Sequence, residues 1–161
     1  MTTIESSPLL SASLFNLQGR VAFVPGGYGD IGSAIARALA LAGACVAVAG
    51  RSEPKAQAFA ATLRAEGHQT LGIAMDAHRV ADITQAVAAV AAHFGHLDLL
   101  VNCVGMQREQ GLAEVTEEAF DEVVQVNLKA AMFLAQAAAR HQVAAVQAGR
   151  APGRQVHVLS V

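Results

Sequence analysis

Short apolar runs and amphipathic segments alternate along the chain. The runs are four to six residues long and are typical of strands buried on both faces of a parallel sheet. The segments between them repeat apolar residues at helical spacing, as Ile31, Ile35 and Leu39 do. The predicted strands are residues 21–24, 45–49, 70–75, 97–101 and 156–159, and the predicted helices are residues 30–42, 53–66, 80–94 and 116–146. This alternation predicts a doubly wound α/β layer of about five parallel strands with flanking helices.

Capping residues support these boundaries. Ser52 and Thr116 stand where the second and fourth helices begin and can accept a hydrogen bond from the first turn. Gly43, Gly67 and Gly95 follow the first three helices, where a glycine can adopt the left-handed conformation that ends a helix.

Length and composition fit one domain. The chain has 161 residues, of which 53% are hydrophobic and 15% charged, so it can bury a core. Residues 1–14 are mostly small or polar and are expected to form a flexible tail before a domain at residues 15–161. They lack the positive start and long apolar core of a secretion signal.

Charge and cysteine content exclude several classes of protein. The formal charge is −2 and no basic block is present, which argues against nucleic acid as a partner. No uninterrupted apolar run is long enough to cross a bilayer, so no membrane association is expected. Cys45 and Cys103 lie in apolar, strand-like runs and are expected to be buried, reduced thiols of a cytoplasmic protein.

A glycine-rich turn follows the first predicted strand. Gly27, Gly29 and Gly32 form a G-x-G-x-x-G pattern that ends a strand, opens a helix and begins a βαβ unit. In this pattern the first glycine permits a tight turn, the second lets a pyrophosphate approach the backbone, and the third lets helix pack on strand. The sequence therefore predicts a Rossmann-like, dinucleotide-binding domain.

The end of the second predicted strand bears on the cofactor. A site for NAD usually has an acidic residue there to hold the ribose hydroxyls, whereas this chain has Gly50 and Arg51. Arg51 can make a bidentate, charge-assisted contact with a 2′-phosphate. NADP(H) is therefore favoured. NAD(H) stays possible, with Arg51 a solvated loop residue and Glu53 binding the ribose.

With this turn and strand pattern the sequence resembles the short-chain dehydrogenase/reductase family, and the resemblance runs from Phe15 to the last residue. Residues 25–32 match its Thr-Gly-x-x-x-Gly-x-Gly motif, except that Pro25 replaces the threonine and Asp30 the middle glycine. Residues 102–105 match its Asn-Asn-Ala-Gly motif, with Cys103 and Val104 as substitutions. The cofactor-binding residues that the two motifs, Arg51 and the end of the third strand indicate are Gly26, Gly27, Tyr28, Gly29, Asp30, Ile31, Gly32, Arg51, Asp76, Ala77, Asn102, Cys103, Val104 and Gly105.

The resemblance also implies an activity, the interconversion of an alcohol and a carbonyl in a small molecule. It places Asn127 at the asparagine that holds a water in the family's proton relay, and Ser160 at the serine that hydrogen-bonds the substrate carbonyl. For Asp76 the resemblance implies a contact with the adenine ring. It also implies a homo-oligomer, formed in part by the long helix at residues 116–146.

The family's catalytic Tyr-x-x-x-Lys motif has no match in the sequence. The only tyrosine is Tyr28, in the glycine turn, and no lysine follows Lys129. We therefore expect the chain to be the N-terminal portion of a longer enzyme. The alternative is a short, non-catalytic form that acts as a dinucleotide-binding or regulatory protein. No metal site is expected, since His93 and His96 have no accompanying set of ligands.

Overall fold

The computed structural model describes residues 15–158 of the chain. Its elements, in chain order, are β1 (Val21–Pro25), α1 (Asp30–Leu41), β2 (Cys45–Gly50), α2 (Glu53–Ala65), β3 (Thr70–Ala74), α3 (Val80–Phe94), β4 (Leu99–Asn102), α4 (Glu117–Val124), a π-helical turn (Gln125–Lys129), α5 (Ala130–Gln147) and β5 (Arg154–His157). The expected tail at residues 1–14 and the predicted catalytic Ser160 lie outside the described residues.

The strands of residues 15–158 form one parallel sheet of five strands in the order β3-β2-β1-β4-β5. This confirms the predicted doubly wound, Rossmann-like α/β fold. The strand order reverses direction between β1 and β4, because the chain adds β2 and β3 on one side of β1 and β4 and β5 on the other. In open parallel sheets, ligands bind outside the carboxyl ends of the strands at such a switch point.

Each face of the sheet has its own apolar core. Alternate residues of β1 point to opposite faces, so that Phe23 belongs to one core and Val24 to the other. The Phe23 core includes residues of α3 and α5, such as Val87 and Leu134. To the other core, α1 and α2 contribute mostly alanine, which lets these helices lie close to the strands. No helix of residues 15–158 combines the length and apolar character that a membrane span needs.

The predicted caps are present. The Ser52 hydroxyl accepts a hydrogen bond from the backbone N–H of Lys55, and the Thr116 hydroxyl accepts one from that of Ala119. Gly43, Gly67 and Gly95 all have positive φ angles. These contacts confirm the helix boundaries that the capping residues indicated, to within a residue.

Several predictions about the fold were wrong in detail. The fifth strand begins at Arg154 rather than residue 156. The helix expected at residues 116–146 is interrupted by the π-helical turn, which apolar periodicity does not reveal. The fourth strand begins at Leu99 rather than residue 97, and the carboxylate of the preceding Asp98 accepts the β1 backbone N–H of Val21 at 2.8 Å. Cys45 and Cys103 are free, as expected, but half-buried rather than buried.

Candidate functional site

The glycine turn after β1 is held closely against β2. The backbone N–H of Gly26 donates to the carbonyl of Ala49 at 2.7 Å, and Gly26 has a φ of +76°. Gly26 thus makes the tight turn that the sequence pattern assigned to Gly27, which is buried against Val48. A Cβ at Gly32 would lie 2.2 Å from the carbonyl oxygen of Gly26, so only glycine lets α1 start this close to the turn.

Gly29 differs from the other glycines of the turn because the fold itself does not require it. A Cβ built on Gly29 would lie 3.4 Å from its nearest neighbour, the carbonyl oxygen of Gly26. The residue is exposed, lies at the N-cap of α1 and lines a cavity. A side chain here would therefore occupy space beside the helix N-terminus, where backbone N–H groups favour a phosphate.

The first two residues of α1, Asp30 and Ile31, are exposed. No side chain caps the helix at this end. The backbone carbonyl of Asp30 accepts a hydrogen bond from the Ser33 hydroxyl. Ile31 is 63% exposed and lines a second cavity, which also includes Asn127.

The carboxyl end of β2 is covered by the side chain of Tyr28. Its hydroxyl accepts a hydrogen bond from the backbone N–H of Ser52 at 3.0 Å, and its ring packs on Gly50. Arg51 is exposed and lines the same cavity as Tyr28 and Gly29. The turn and the end of β2 therefore form one continuous wall.

The loop after β3 brings Asp76, Ala77 and His78 to the same edge of the sheet. The Asp76 carboxylate accepts the backbone N–H of His78 at 3.0 Å and contacts the His78 ring at 2.9 Å. The backbone hydrogen bond is the largest cause of a lowered pKa of Asp76, with smaller contributions from the His78 ring and the charge of Arg51. Ala77 and His78 line the cavity.

The end of β4 forms the opposite wall. Asn102 is buried, and its side-chain oxygen accepts the backbone N–H of Val104 at 2.9 Å. Cys103 donates its backbone N–H to Pro25, which joins this loop to the glycine turn. Burial raises the pKa of the Cys103 thiol, so the thiolate is disfavoured.

Asn127 lies in the π-helical turn and binds the loop after β4. Its side-chain oxygen accepts the backbone N–H of Met106 at 2.9 Å, and its nitrogen donates to the carbonyl of Met106 at 2.8 Å. An amide has one further donor hydrogen and one further acceptor lone pair. The side chain therefore holds the loop and keeps hydrogen-bonding capacity for a water.

These elements surround a cavity of about 450 Å³ at the carboxyl edge of the sheet. The predicted residues that line it are Gly26, Tyr28, Gly29, Arg51, Ala77, Cys103, Val104 and Gly105. The structure places the other predicted residues outside this lining: Gly27 and Gly32 support the turn, Asn102 lies beneath the loop, and Asp30, Ile31 and Asp76 flank the cavity.

Several residues that line the cavity were not predicted from the sequence. They are Gly50, Met75, His78, Met106, Glu122 and Val126. His78 could have been found, since it follows the predicted Asp76 and Ala77 directly. Glu122 could not, because it comes from the middle of α4 and reaches the cavity only through the packing of that helix. Glu122 forms an ion pair with Arg108 and lies 3.8 Å from the His78 ring.

His93 and His96, whose spacing could suggest metal ligands, contact other groups. His93 packs edge-on against Phe94, and His96 lies 3.1 Å from a carboxylate oxygen of Asp98. Within residues 15–158, no three His, Cys, Asp or Glu side chains are grouped so as to hold a metal ion.

The cavity fits a dinucleotide better than a compact anion. At the N-terminus of α1, Gly29 leaves space that suits a pyrophosphate. From there the cavity extends to Arg51 on one side and to the loops after β3 and β4 on the other. These loops offer apolar side chains such as Met75 and Val104, against which a planar ring can pack.

A model of the short chain dehydrogenase family matches residues 20–161. Among curated proteins, a hydroxynaphthalene reductase of Aspergillus fumigatus is 40% identical over 126 residues, which cover 78% of this chain and 46% of that protein. A D-threitol dehydrogenase of Mycolicibacterium smegmatis is 35% identical over 131 residues, or 81% of this chain and 50% of that protein. The chain thus spans about half the length of these curated relatives.

Solved structures agree with the family match. A short chain dehydrogenase of Burkholderia cenocepacia in complex with NADP has a TM-score of 0.75 and 41% identity, covering 78% of this chain and 52% of that one. A short-chain dehydrogenase/reductase of Serratia marcescens has a TM-score of 0.80 and 37% identity, covering 89% and 56%. With the glycine turn, the switch-point cavity and the family match together, the chain belongs to the short-chain dehydrogenase/reductase family of oxidoreductases.

Proposed function

We propose that the chain is the N-terminal portion of an NADP(H)-dependent oxidoreductase that interconverts an alcohol and a carbonyl in a small molecule. The observation that carries the cofactor assignment is the position of Arg51. It directly follows β2, is exposed and lines the cavity that begins at the glycine turn. A cation here favours a 2′-phosphate, whereas a free ribose is usually held by a carboxylate.

The residues of the cavity divide the binding task. The first turn of α1 and Gly29 receive the pyrophosphate, Arg51 the 2′-phosphate, and Asp76 with Ala77 the adenine. Asn102 holds the loop of Cys103, Val104 and Gly105 along the cofactor. When bound, the nicotinamide supplies or accepts the hydride.

Two residues are proposed to act at the reacting centre. Asn127 positions a relay water through the donor and acceptor that Met106 leaves unused. Ser160 hydrogen-bonds the substrate carbonyl; it follows β5 in the chain and lies outside the described residues. The general acid is proposed to be a tyrosine of a Tyr-x-x-x-Lys motif in the part of the protein that follows Val161.

The substrate class follows from the relatives. Their names include a hydroxynaphthalene reductase and a D-threitol dehydrogenase, and these two names refer to very different carbon skeletons. We therefore propose the type of reaction, the interconversion of an alcohol and a carbonyl, without proposing a particular substrate. A homo-oligomer is proposed through the α4–α5 region, where Phe120, Leu128 and Met132 are exposed.

Cofactor titration tests the assignment. We expect Arg51→Ala to weaken NADPH binding about tenfold or more and to leave NADH binding within about twofold, because only NADPH carries the 2′-phosphate. Arg79→Ala is the matched control: Arg79 is an exposed arginine that pairs with Asp82 and does not line the cavity. Equal losses for both cofactors, or no loss, would contradict the NADP(H) assignment.

Turnover tests the enzymatic part of the proposal against a non-catalytic dinucleotide-binding protein. The protein expressed from its complete reading frame is expected to oxidise NADPH in the presence of small ketones and aldehydes. Cofactor binding without any turnover, together with a reading frame that carries no Tyr-x-x-x-Lys motif, would favour the non-catalytic alternative.

A further inference from the structure

The side chain of Tyr28 is fitted to the end of β2 more closely than its place in a glycine turn requires. A Cβ built on Gly50 would lie 2.5 Å from Cε1 of the Tyr28 ring and 2.6 Å from its Cζ and hydroxyl oxygen. Gly50 therefore leaves the space that the phenol occupies. This contact fixes the hydroxyl beside the residue that follows, Arg51.

The hydroxyl of Tyr28 is oriented by the backbone. It accepts the N–H of Ser52 at 3.0 Å, which uses one of its lone pairs. Its own O–H has no protein acceptor among residues 15–158. A hydroxyl that accepts one hydrogen bond becomes a better donor of the next, so the unused O–H is a good donor for an anion.

The same place offers a second donor to that anion. Arg51 precedes Ser52 directly, and Tyr28, Gly50 and Arg51 all line the cavity. The nearest carboxylate in sequence is that of Glu53, which has a partner on its own helix: its Oε1 accepts a hydrogen bond from the side chain of Gln57 at 2.8 Å, one turn along α2. An anion beside Arg51 and Tyr28 thus has two donors, a guanidinium and a phenol.

We infer that Tyr28 is a specificity-determining residue that, with Arg51, distinguishes a ribose 2′-phosphate from a ribose 2′-hydroxyl by donating its O–H to a phosphate oxygen. This inference rests on the NADP(H) assignment proposed above. A hydrogen bond to a phosphate is roughly twice as strong as one to a neutral hydroxyl, so the phenol favours the phosphorylated ribose.

The test compares two ligands that differ only at this position, 2′,5′-ADP and 5′-AMP, by calorimetric titration. In Tyr28→Phe the ring that packs on Gly50 is retained and the hydroxyl is lost. We expect 2′,5′-ADP to bind about tenfold more weakly to Y28F than to the wild type, and 5′-AMP to change by less than about threefold. Thr62→Val, which removes a hydroxyl from α2 at a position that does not line the cavity, is the control and should change neither.

Failures of this inference and of the cofactor assignment are distinguishable. A wild type that does not prefer 2′,5′-ADP overturns the NADP(H) assignment and this inference with it. A wild type that prefers 2′,5′-ADP, with the same preference in Y28F, overturns this inference alone. Phosphorus NMR gives a second readout: the pKa of the bound 2′-phosphate, about 6 in free esters, is expected to be lower in the wild type than in Y28F. Equal values would also overturn the inference.

Discussion

Asn127 and Met106 are joined by two reciprocal hydrogen bonds, one in each direction between the side-chain amide and the backbone. The amide oxygen accepts at 2.9 Å and the amide nitrogen donates at 2.8 Å. The pair joins the π-helical turn to the loop after β4, which lines the cavity through Val104 and Gly105. Single-turn π-helices of this kind are frequent at functional sites.

Replacing Asn127 should release this loop. Asn127→Ala removes both hydrogen bonds, and we expect it to lower the free energy of unfolding by about 1–2 kcal/mol. Amide hydrogen exchange at Met106 should become faster, because its N–H loses its acceptor. Lys129→Ala, an exposed position in the same turn, is the control. Unchanged exchange at Met106 in N127A would show that the loop is held by other contacts.

A second prediction concerns Asp98, at the opposite edge of the sheet from the cavity. Its buried carboxylate accepts the backbone N–H of Val21 at 2.8 Å and pairs with Arg20 at 3.2 Å, His96 at 3.1 Å and Arg150 at 3.4 Å. We expect Asp98→Asn to lower the free energy of unfolding in urea by about 2–3 kcal/mol, since Arg20 and Arg150 lose their counter-charge.

Asp98 and the side chains that pair with it should contribute to the free energy of unfolding and not to cofactor binding. Asp82→Asn, on the surface of α3, is a matched control with a small expected effect. NADPH affinity of folded D98N should equal that of the wild type. A D98N protein as stable as the wild type would mean that the cluster contributes no net stability.

The sequence predicted the fold well and the contacts between loops poorly. Alternating apolar runs and the glycine turn were sufficient for the sheet because local periodicity determines strands and helices. Asn127 was placed by its motif, yet its bonds to Met106 depend on the π-helical turn, which has no apolar signature. Asp98 lies within a predicted strand, and most partners of its carboxylate come from two distant segments, Arg20 with Val21 and the residues around Arg150. Such long-range polar contacts are set by packing and not by local pattern.

A third prediction concerns the pH dependence of stability. The pKa of Asp76 is lowered in the folded protein, chiefly by the backbone N–H of His78. A depressed carboxyl pKa contributes stability that is fully present above the unfolded value, about 3.9, and is lost as the pH falls through the folded pKa. In Asp76→Asn that contribution is absent.

Urea unfolding between about pH 6 and pH 3 measures this contribution. The free energy of unfolding of the wild type should fall more steeply below about pH 4 than that of D76N. Glu114→Gln, an exposed carboxyl in the loop before α4, is the control and should follow the wild type. Parallel curves for D76N and the wild type would mean that the His78 contact does not persist in solution.

The last prediction concerns Asp30, which stands where the family motif has a glycine. It is the exposed first residue of α1, directly after Gly29. A carboxylate at this position stabilises the helix N-terminus, but it also repels a pyrophosphate bound there. At separations of about 8 Å in a water-exposed site, the repulsion is roughly 1 kcal/mol. Asp30→Asn should therefore bind NADPH about fivefold more tightly.

Ionic strength separates this repulsion from a steric effect. The gain in NADPH affinity of D30N should be largest at low salt. It should shrink as added salt shortens the Debye length, which is about 8 Å at physiological ionic strength, because the two charges are then screened from each other. Glu66→Gln changes the net charge by the same amount at the far end of α2, where Glu66 pairs with Arg37, and should not change affinity. A D30N protein that binds NADPH no more tightly at low salt would show that the Asp30 carboxylate lies away from the phosphates.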